Sequence, residues 1–312
     1  MLSRHASGIF WLARYLERAE FTAKLARATL SAAPPGSNEL KKFLASALLA
    51  IGEHENFRRN HASSPGTCEL EFLVGSGSNP SSIFACAEQA RSIVELNCPA
   101  LPPELEAAVH ELLRTAKEME KKSSLKEPVE FELLAICSRS AEAHGIAHGR
   151  LLRGGAYEYW QTGRMIERVS GIARMVDLGL NLARYMQSEN SCAGDSFLLD
   201  YFGNFANSGD LLKECGGRVS EFAILNFFIL SPKPPTSLAF AVLEIERCLK
   251  CLSKSTANAA KSASMANRLA GSLRTTKPEL VLKDDFSQFA RNTIQAGARL
   301  ANQIEFDFNF KA

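Results

Sequence analysis

The chain has 312 residues, 46% of them hydrophobic and 22% charged, with a formal net charge of +2. That is the composition of a globular protein long enough to bury one large core or two medium ones. The near-neutral balance, without a basic arm, gives no ground for a nucleic-acid partner.

Helical periodicity starts at once. Between residues 9 and 30, apolar residues fall at Ile9, Leu12, Leu16, Ala19, Ala23, Ala26 and Leu30, the three-and-four spacing of a helix packed against others. Pro34-Pro35-Gly36 ends it. The same pattern predicts helices near 39–60, 80–97, 103–122, 128–152, 155–187, 195–207, 209–215, 218–230, 235–271 and 284–306, with loops at 63–66, 75–80, 99–103 and 231–235. Strand-like alternation is nearly absent. The expected fold is therefore all-α, a multi-helix bundle.

Targeting signals are not expected. Met1-Leu2-Ser3-Arg4-His5 leads into an amphipathic helix, unlike a secretory leader. The longest apolar run, Phe222 to Leu230, is broken by Asn226 and is far short of the ~20 residues of a membrane span. Eight cysteines are scattered at 68, 86, 98, 137, 192, 215, 248 and 251, without a disulfide framework. Cys248 and Cys251 form one C-x-x-C inside a helical pattern, too few ligands for zinc by itself. Reduced thiols and a cytoplasmic location are the expectation, with no membrane partner.

One unusual segment occurs twice. Arg14-Tyr15-Leu16-Glu17-Arg18 returns as Arg164-Met165-Ile166-Glu167-Arg168, an offset of 164 − 14 = 150. Flanking residues repeat too: Leu2-Ser3-Arg4 with Leu151-Leu152-Arg153, and Phe10-Trp11 with Tyr159-Trp160. Asn79-Pro80-Ser81-Ser82-Ile83 has a counterpart in Pro234-Pro235-Thr236-Ser237-Leu238, an offset of 235 − 80 = 155. This order predicts one domain over 1–312 made of two related, intertwined halves, about 1–150 and 151–312.

At about 100° per residue, Phe10, Arg14, Glu17, Phe21 and Leu25 share one face of the first helix. In the second copy Trp160, Arg164, Glu167, Gly171 and Met175 take those places. Aromatic neighbours predict that the charged face is partly buried, which requires every ion to be hydrogen-bonded. Two readings follow. The Arg and Glu groups form a structural clamp, along one helix or across the two copies. Alternatively they line a polar pocket in which arginines bind an anion and Glu17, Glu20 or Glu167 handles protons. Glu20 breaks the repeat, since its counterpart is Ser170.

Other candidates carry less. Asn79 has the place of a helix N-cap with Pro80 at the first helical position, and Ser81 and Ser82 follow where an anion could bind. Pro235-Thr236-Ser237 reads the same way. His144 and His148 are spaced for one helix face, but Gly145 stands where a zinc-protease motif has Glu and no third ligand is evident. Exposed or hydrogen-bonded histidines are the expectation. No Ser-His-Asp or Cys-His arrangement can be argued, and Trp11 and Trp160 read as core or interface aromatics. The residues assign no metal and no cofactor.

The opening Met1-Leu2-Ser3-Arg4, with Phe10-Trp11-x-x-Arg14-Tyr15-x-Glu17-Arg18-Ala19-Glu20, resembles the bacterial alpha-E domain family. So do Arg153-x-x-x-Tyr157-x-Tyr159-x-x-x-Gly163-Arg164-x-x-Glu167-Arg168 and Asn79-Pro80-Ser81-Ser82-Ile83 with Ala90-Arg91. Phe21 replaces the family's usual Asn, and Val169-Ser170-Gly171 replaces its Ala-Asp/Glu. The resemblance implies a helical protein found alongside a circularly permuted ATP-grasp ligase and a transglutaminase-like peptidase. It thereby implies an accessory or substrate-binding role in ATP-dependent ligation on a peptide or amino-acid substrate. The candidate anion-binding residues are then Arg4, Arg14, Arg18, Arg153, Arg164 and Arg168. An enzyme of amide chemistry is the alternative. The chain has no Gly-x-x-x-x-Gly-Lys-Ser/Thr loop, so nucleotide chemistry would fall to the partner.

Overall fold

The computed structural model describes residues 2–63, 68–97, 101–123, 129–189, 194–254 and 259–310. Within these the secondary structure is helical, without a strand. In chain order the helices are α1 (Ser3–Ser31), α2 (Asn38–Ala50), α3 (His54–Ser63), α4 (Glu69–Val74), α5 (Ile83–Asn97), α6 (Pro103–Ser123), α7 (Glu130–Arg150) and α8 (Ala156–Glu189). Then come α9 (Gly194–Phe202), α10 (Ser208–Glu214), α11 (Glu221–Leu225), a π-helical turn (Asn226–Leu230), α12 (Leu238–Ser253), α13 (Ala260–Thr275), α14 (Pro278–Asp284) and α15 (Phe286–Asp307). None of the described helices is long and apolar enough to cross a membrane.

The core is organised on α1 and α8. The first packs on α5 and α7, the second on α12 and α15, and the two pack on each other. Outside them, α6 lies across α5 and α7, while α13 lies against α12 and α15. Such a central helix must be apolar or small on nearly every side. Accordingly Ile9, Phe10, Leu12, Ala13, Leu16, Ala19, Ala23, Leu25 and Ala26 are all fully buried.

The two central helices run in the same direction. Phe10 of α1 lies against Gly163 of α8, and Phe21, three turns on, lies against Gly171. A parallel pair cannot be joined by a short loop, so residues 32–155 carry the chain back to the starting end. The approach at Gly163 is very close. A Cβ there would come within 2.2 Å of the Phe10 carbonyl oxygen, which leaves room only for glycine.

Most differences from the sequence reading lie at helix breaks. The single helix expected over 39–60 is two, because Gly52 adopts φ +82° and turns the chain. The one expected over 235–271 is α12 and α13. The helix expected over 195–207 stops at Phe202, and 218–230 ends in a π turn. The short helices α4 and α14 were not expected, being too brief to show a period. Parts of the predicted loops 63–66 and 99–103, together with Cys98 and Cys192, lie outside the described residues.

Candidate functional site

The duplicated motifs meet at the α1–α8 contact, each glutamate held by the arginines of the other copy. Arg168 donates from Nε to Glu17 Oε1 at 2.6 Å and from Nη2 to Oε2 at 2.9 Å, and Arg164 Nε donates to Oε2 at 2.9 Å. Reciprocally, Arg18 donates from Nε to Glu167 Oε1 at 2.7 Å and from Nη2 to Oε2 at 3.0 Å, and Arg14 Nε donates to Oε2 at 3.1 Å. Two carboxylates thus receive four guanidiniums, two in the bidentate fork geometry that arginine favours. The pairing is across helices, not along them.

Burial makes these bonds necessary. Glu17 is 6% exposed, and the side chains of Glu167 and Arg168 are 11% and 10% exposed. Burial alone would push the Glu17 carboxyl upward, but the Arg168 and Arg164 guanidiniums outweigh it and hold the group well below the usual carboxylate range. Glu167 is lowered in the same balance, burial opposed by Arg18 and Arg14. Arg14 also lies over the Trp11 ring at 4.2 Å and donates from Nη1 to Glu305 Oε1 at 3.3 Å.

On the far side of Glu17 the bonding is incomplete. His144, from α7, is 4% exposed and brings Nε2 to 3.4 Å from Glu17 Oε2 and 3.8 Å from Glu20 Oε2. Glu20 gives Oε1 to Lys24 Nζ at 2.6 Å, yet its Oε2 has no hydrogen-bond partner among the described residues. Neither ring nitrogen of His144 has one either. Burial, reinforced by Arg164, keeps the imidazole neutral, well below its ordinary value. Trp160 packs edge-on against the ring at 5.6 Å.

A small cleft of about 40 Å³, partly open to solvent, borders this cluster. Glu17, Glu20, Lys24 and Arg168 line it with charge, and Phe21, Ile172, Met175 and Phe205 with apolar surface. Gly171 is the residue over which the Phe21 ring lies, and a Cβ there would meet that ring at 3.0 Å.

The remaining candidates lie elsewhere. Arg4 is exposed in the first turn of α1, roughly 15 Å along the helix from Arg14. Arg153 is exposed before α8, stacked on Tyr157 at 3.6 Å. Asn79 does not cap α5, contrary to the sequence reading. The helix begins at Ile83, and Ser82 caps it by accepting from the Ala85 N–H at 3.0 Å. Asn79 is buried in the preceding turn, donating to the Phe72 carbonyl and accepting from the Ser81 N–H, and Ser81 Oγ donates to Glu53. Ser237 caps α12 as Ser82 caps α5. His148, exposed, sits 3.2 Å from the Tyr157 hydroxyl. His144 is neither exposed nor hydrogen-bonded, against expectation. Its i,i+4 spacing with His148 was visible in sequence, but nothing local ties α7 to Glu17.

A family model described as "a predicted alpha-helical domain with a conserved ER motif" matches residues 1–308. The chain belongs to the Alpha-E family. Glu17-Arg18 and Glu167-Arg168 are two Glu-Arg pairs that fit this Alpha-E description, and in each the glutamate takes the arginine of the other. No curated protein and no solved structure matches the chain.

Proposed function

We propose that this protein is an accessory, substrate-binding component of an ATP-grasp-dependent peptide or amide ligation system. It would work beside the ligase and a transglutaminase-like peptidase, with its small cleft receiving one end group of a peptide or amino-acid substrate. The cleft carries this reading: its lining offers charged groups for a carboxylate or amide next to apolar side chains. The arginine clusters enter the reading in altered form. Arg14, Arg18 and Arg164 are engaged by glutamates and do not line the cleft; the cations that do are Lys24, paired with Glu20, and Arg168, held by Glu17 and the Pro235 carbonyl. The in-register pairing of α1 with α8 also supports reading the chain as two related halves, about 1–150 and 151–312.

Thr236, half-buried at the cleft, gives a direct test. A Thr236→Trp variant fills the cleft without entering the core. Wild-type protein should bind peptides with a free carboxylate and raise product formation by the reconstituted ligase. Thr236→Trp should lose both while keeping its helical circular dichroism. Absence of binding and of any effect by the wild type removes the proposal.

A second reading, acid–base catalysis of amide chemistry, is favoured by the unpartnered Glu20 Oε2 and His144. Glu17 fits it poorly, since both its oxygens accept from arginines. Glu20→Gln distinguishes the two readings. Lost turnover with unchanged peptide binding favours catalysis, and unchanged turnover favours binding alone.

A further inference from the structure

The groups left over from the clamp converge on one point. Glu17 and Glu20 lie three residues apart on α1, and His144 reaches across from α7. One oxygen of each carboxylate and one imidazole nitrogen all lie within 4.8 Å of one another, and all three residues are buried. Donors around a single small divalent ion sit at about 2.0–2.2 Å from it, which places them roughly 3 to 3.5 Å apart. The His144 Nε2 distances, 3.4 Å to Glu17 Oε2 and 3.8 Å to Glu20 Oε2, need only a few tenths of an ångström of closure.

Hydrogen bonding identifies what is missing. A buried polar atom without a partner has lost its hydration with nothing in return. Three such atoms, Glu20 Oε2 and both nitrogens of His144, occur together here. Glu20 and His144 are 7% and 4% exposed, so bulk water does not satisfy them. Elsewhere in the cluster the carboxylate oxygens are all taken, with Lys24 on Glu20 Oε1 and Arg164 and Arg168 on Glu17. The unsatisfied atoms are a carboxylate oxygen and imidazole nitrogens, which are metal-ligand types.

We propose that Glu20 Oε2, His144 Nε2 and Glu17 Oε2 bind one divalent first-row transition-metal ion, with its open position toward the cleft. Glu20 and His144 supply the primary bonds. Glu17 completes the set by releasing Arg164 from its Oε2, which keeps the hydrogen bond from Arg168 Nη2 and offers its other lone pair to the ion. A calcium ion wants six to eight oxygens, which this set does not supply, whereas zinc, cobalt, manganese and ferrous iron accept mixed imidazole and carboxylate ligands. The neighbouring cations Lys24, Arg164 and Arg168 oppose any bound cation and make the site weaker than one with two free carboxylates. This assignment rests on the cluster's geometry and stands whether or not the ligation reading holds.

Cobalt(II) is a suitable probe, because its visible absorption reports the ligands directly. Chelator-treated full-length protein should bind one equivalent of Co²⁺ and develop a visible band that Zn²⁺ abolishes. His144→Ala and Glu20→Gln should each weaken binding by about tenfold or more, the scale of losing part of a metal's support. His148→Ala, one turn away on the same helix and exposed, should bind as wild type does. No stoichiometric binding by the wild type, or wild-type binding in Glu20→Gln and His144→Ala, overturns the proposal. So does equal loss in His148→Ala. If His144→Ala fails to fold, by circular dichroism, Glu20→Gln decides alone. Failure here would leave the peptide-binding result with Thr236→Trp unchanged, so the two ideas fall separately.

Discussion

Glu17 and Glu305 both accept from arginines of this cluster, yet they are not equivalent. Glu17 is buried and serves two guanidiniums through three bonds, whereas Glu305 is 27% exposed and accepts one bond at 3.3 Å. Removing one partner of a buried ion pair leaves the other's charge uncompensated and costs about 3–5 kcal/mol. Glu17→Gln should therefore lower the unfolding free energy by about that amount in urea titrations, while Glu305→Gln should cost under about 1 kcal/mol. A pH effect with a defined sign accompanies this. Glu17 and Glu167 both have folded-state values below the ordinary 4.5, so the unfolded chain binds their protons more readily. Their contribution is fully present above about pH 4.5 and is lost as the pH falls through the depressed values. Glu17→Gln should show a shallower decline of stability in that acid range than the wild type, and an identical slope would contradict the assignment. The charged motif and its burial were legible in the sequence from its repetition and aromatic neighbours. The identity of each partner was not, because periodicity fixes a face of one helix and says nothing about which helix lies opposite. His144 was missed for the same reason.

At the scale of helices, glycines separate close approach from mere tolerance. Gly163 touches the α1 backbone, whereas Gly145 on α7 is exposed, and a methyl group added there would meet nothing within 4 Å. Gly163→Ala would have to push α1 away from α8 and disturb the clamp below it. Overpacking of this kind costs about 1–3 kcal/mol, and here the obstacle is main chain, which cannot rotate aside. Gly145→Ala should instead stabilise α7 by about 0.5–1 kcal/mol, because alanine loses less backbone freedom in a helix interior. Thermal or urea unfolding of the two variants should thus move in opposite directions. Long helices such as α1, α6, α7 and α8 were readable because several turns of periodicity accumulate. The breaks were harder to read. Gly52 is one glycine in a continuous helical pattern, and only its left-handed conformation separates α2 from α3. Asn79-Pro80 looked like a helix start, yet the turn runs on to Ser82, where the side chain that satisfies the first free N–H stands.

For the whole molecule, the connection at Gly154-Gly155 divides every bond of the clamp. Glu17 lies before it and Arg164 and Arg168 after it, while Arg14 and Arg18 lie before it and Glu167 after. The same cut separates Ser3, whose hydroxyl reaches the Phe308 and Asn309 carbonyls, from α15. It also strips α1 of α8, exposing Phe10 and the buried glutamate together, and leaves α8 with α12 and α15 but no counter-ions for Arg164 and Arg168. Neither piece keeps both a closed core and neutral buried charge, and an uncompensated buried ion is the costlier of the two losses. Residues 1–154 and 155–312 expressed separately should therefore lack a cooperative thermal transition. Mixed or co-expressed, they should form a one-to-one complex with helical content near that of the intact chain, because the complementary charges and the glycine contact are restored at once. A half that unfolds cooperatively by itself would show that the α1–α8 pairing joins two finished domains, and the clamp would then be an interface instead of the centre of a single core.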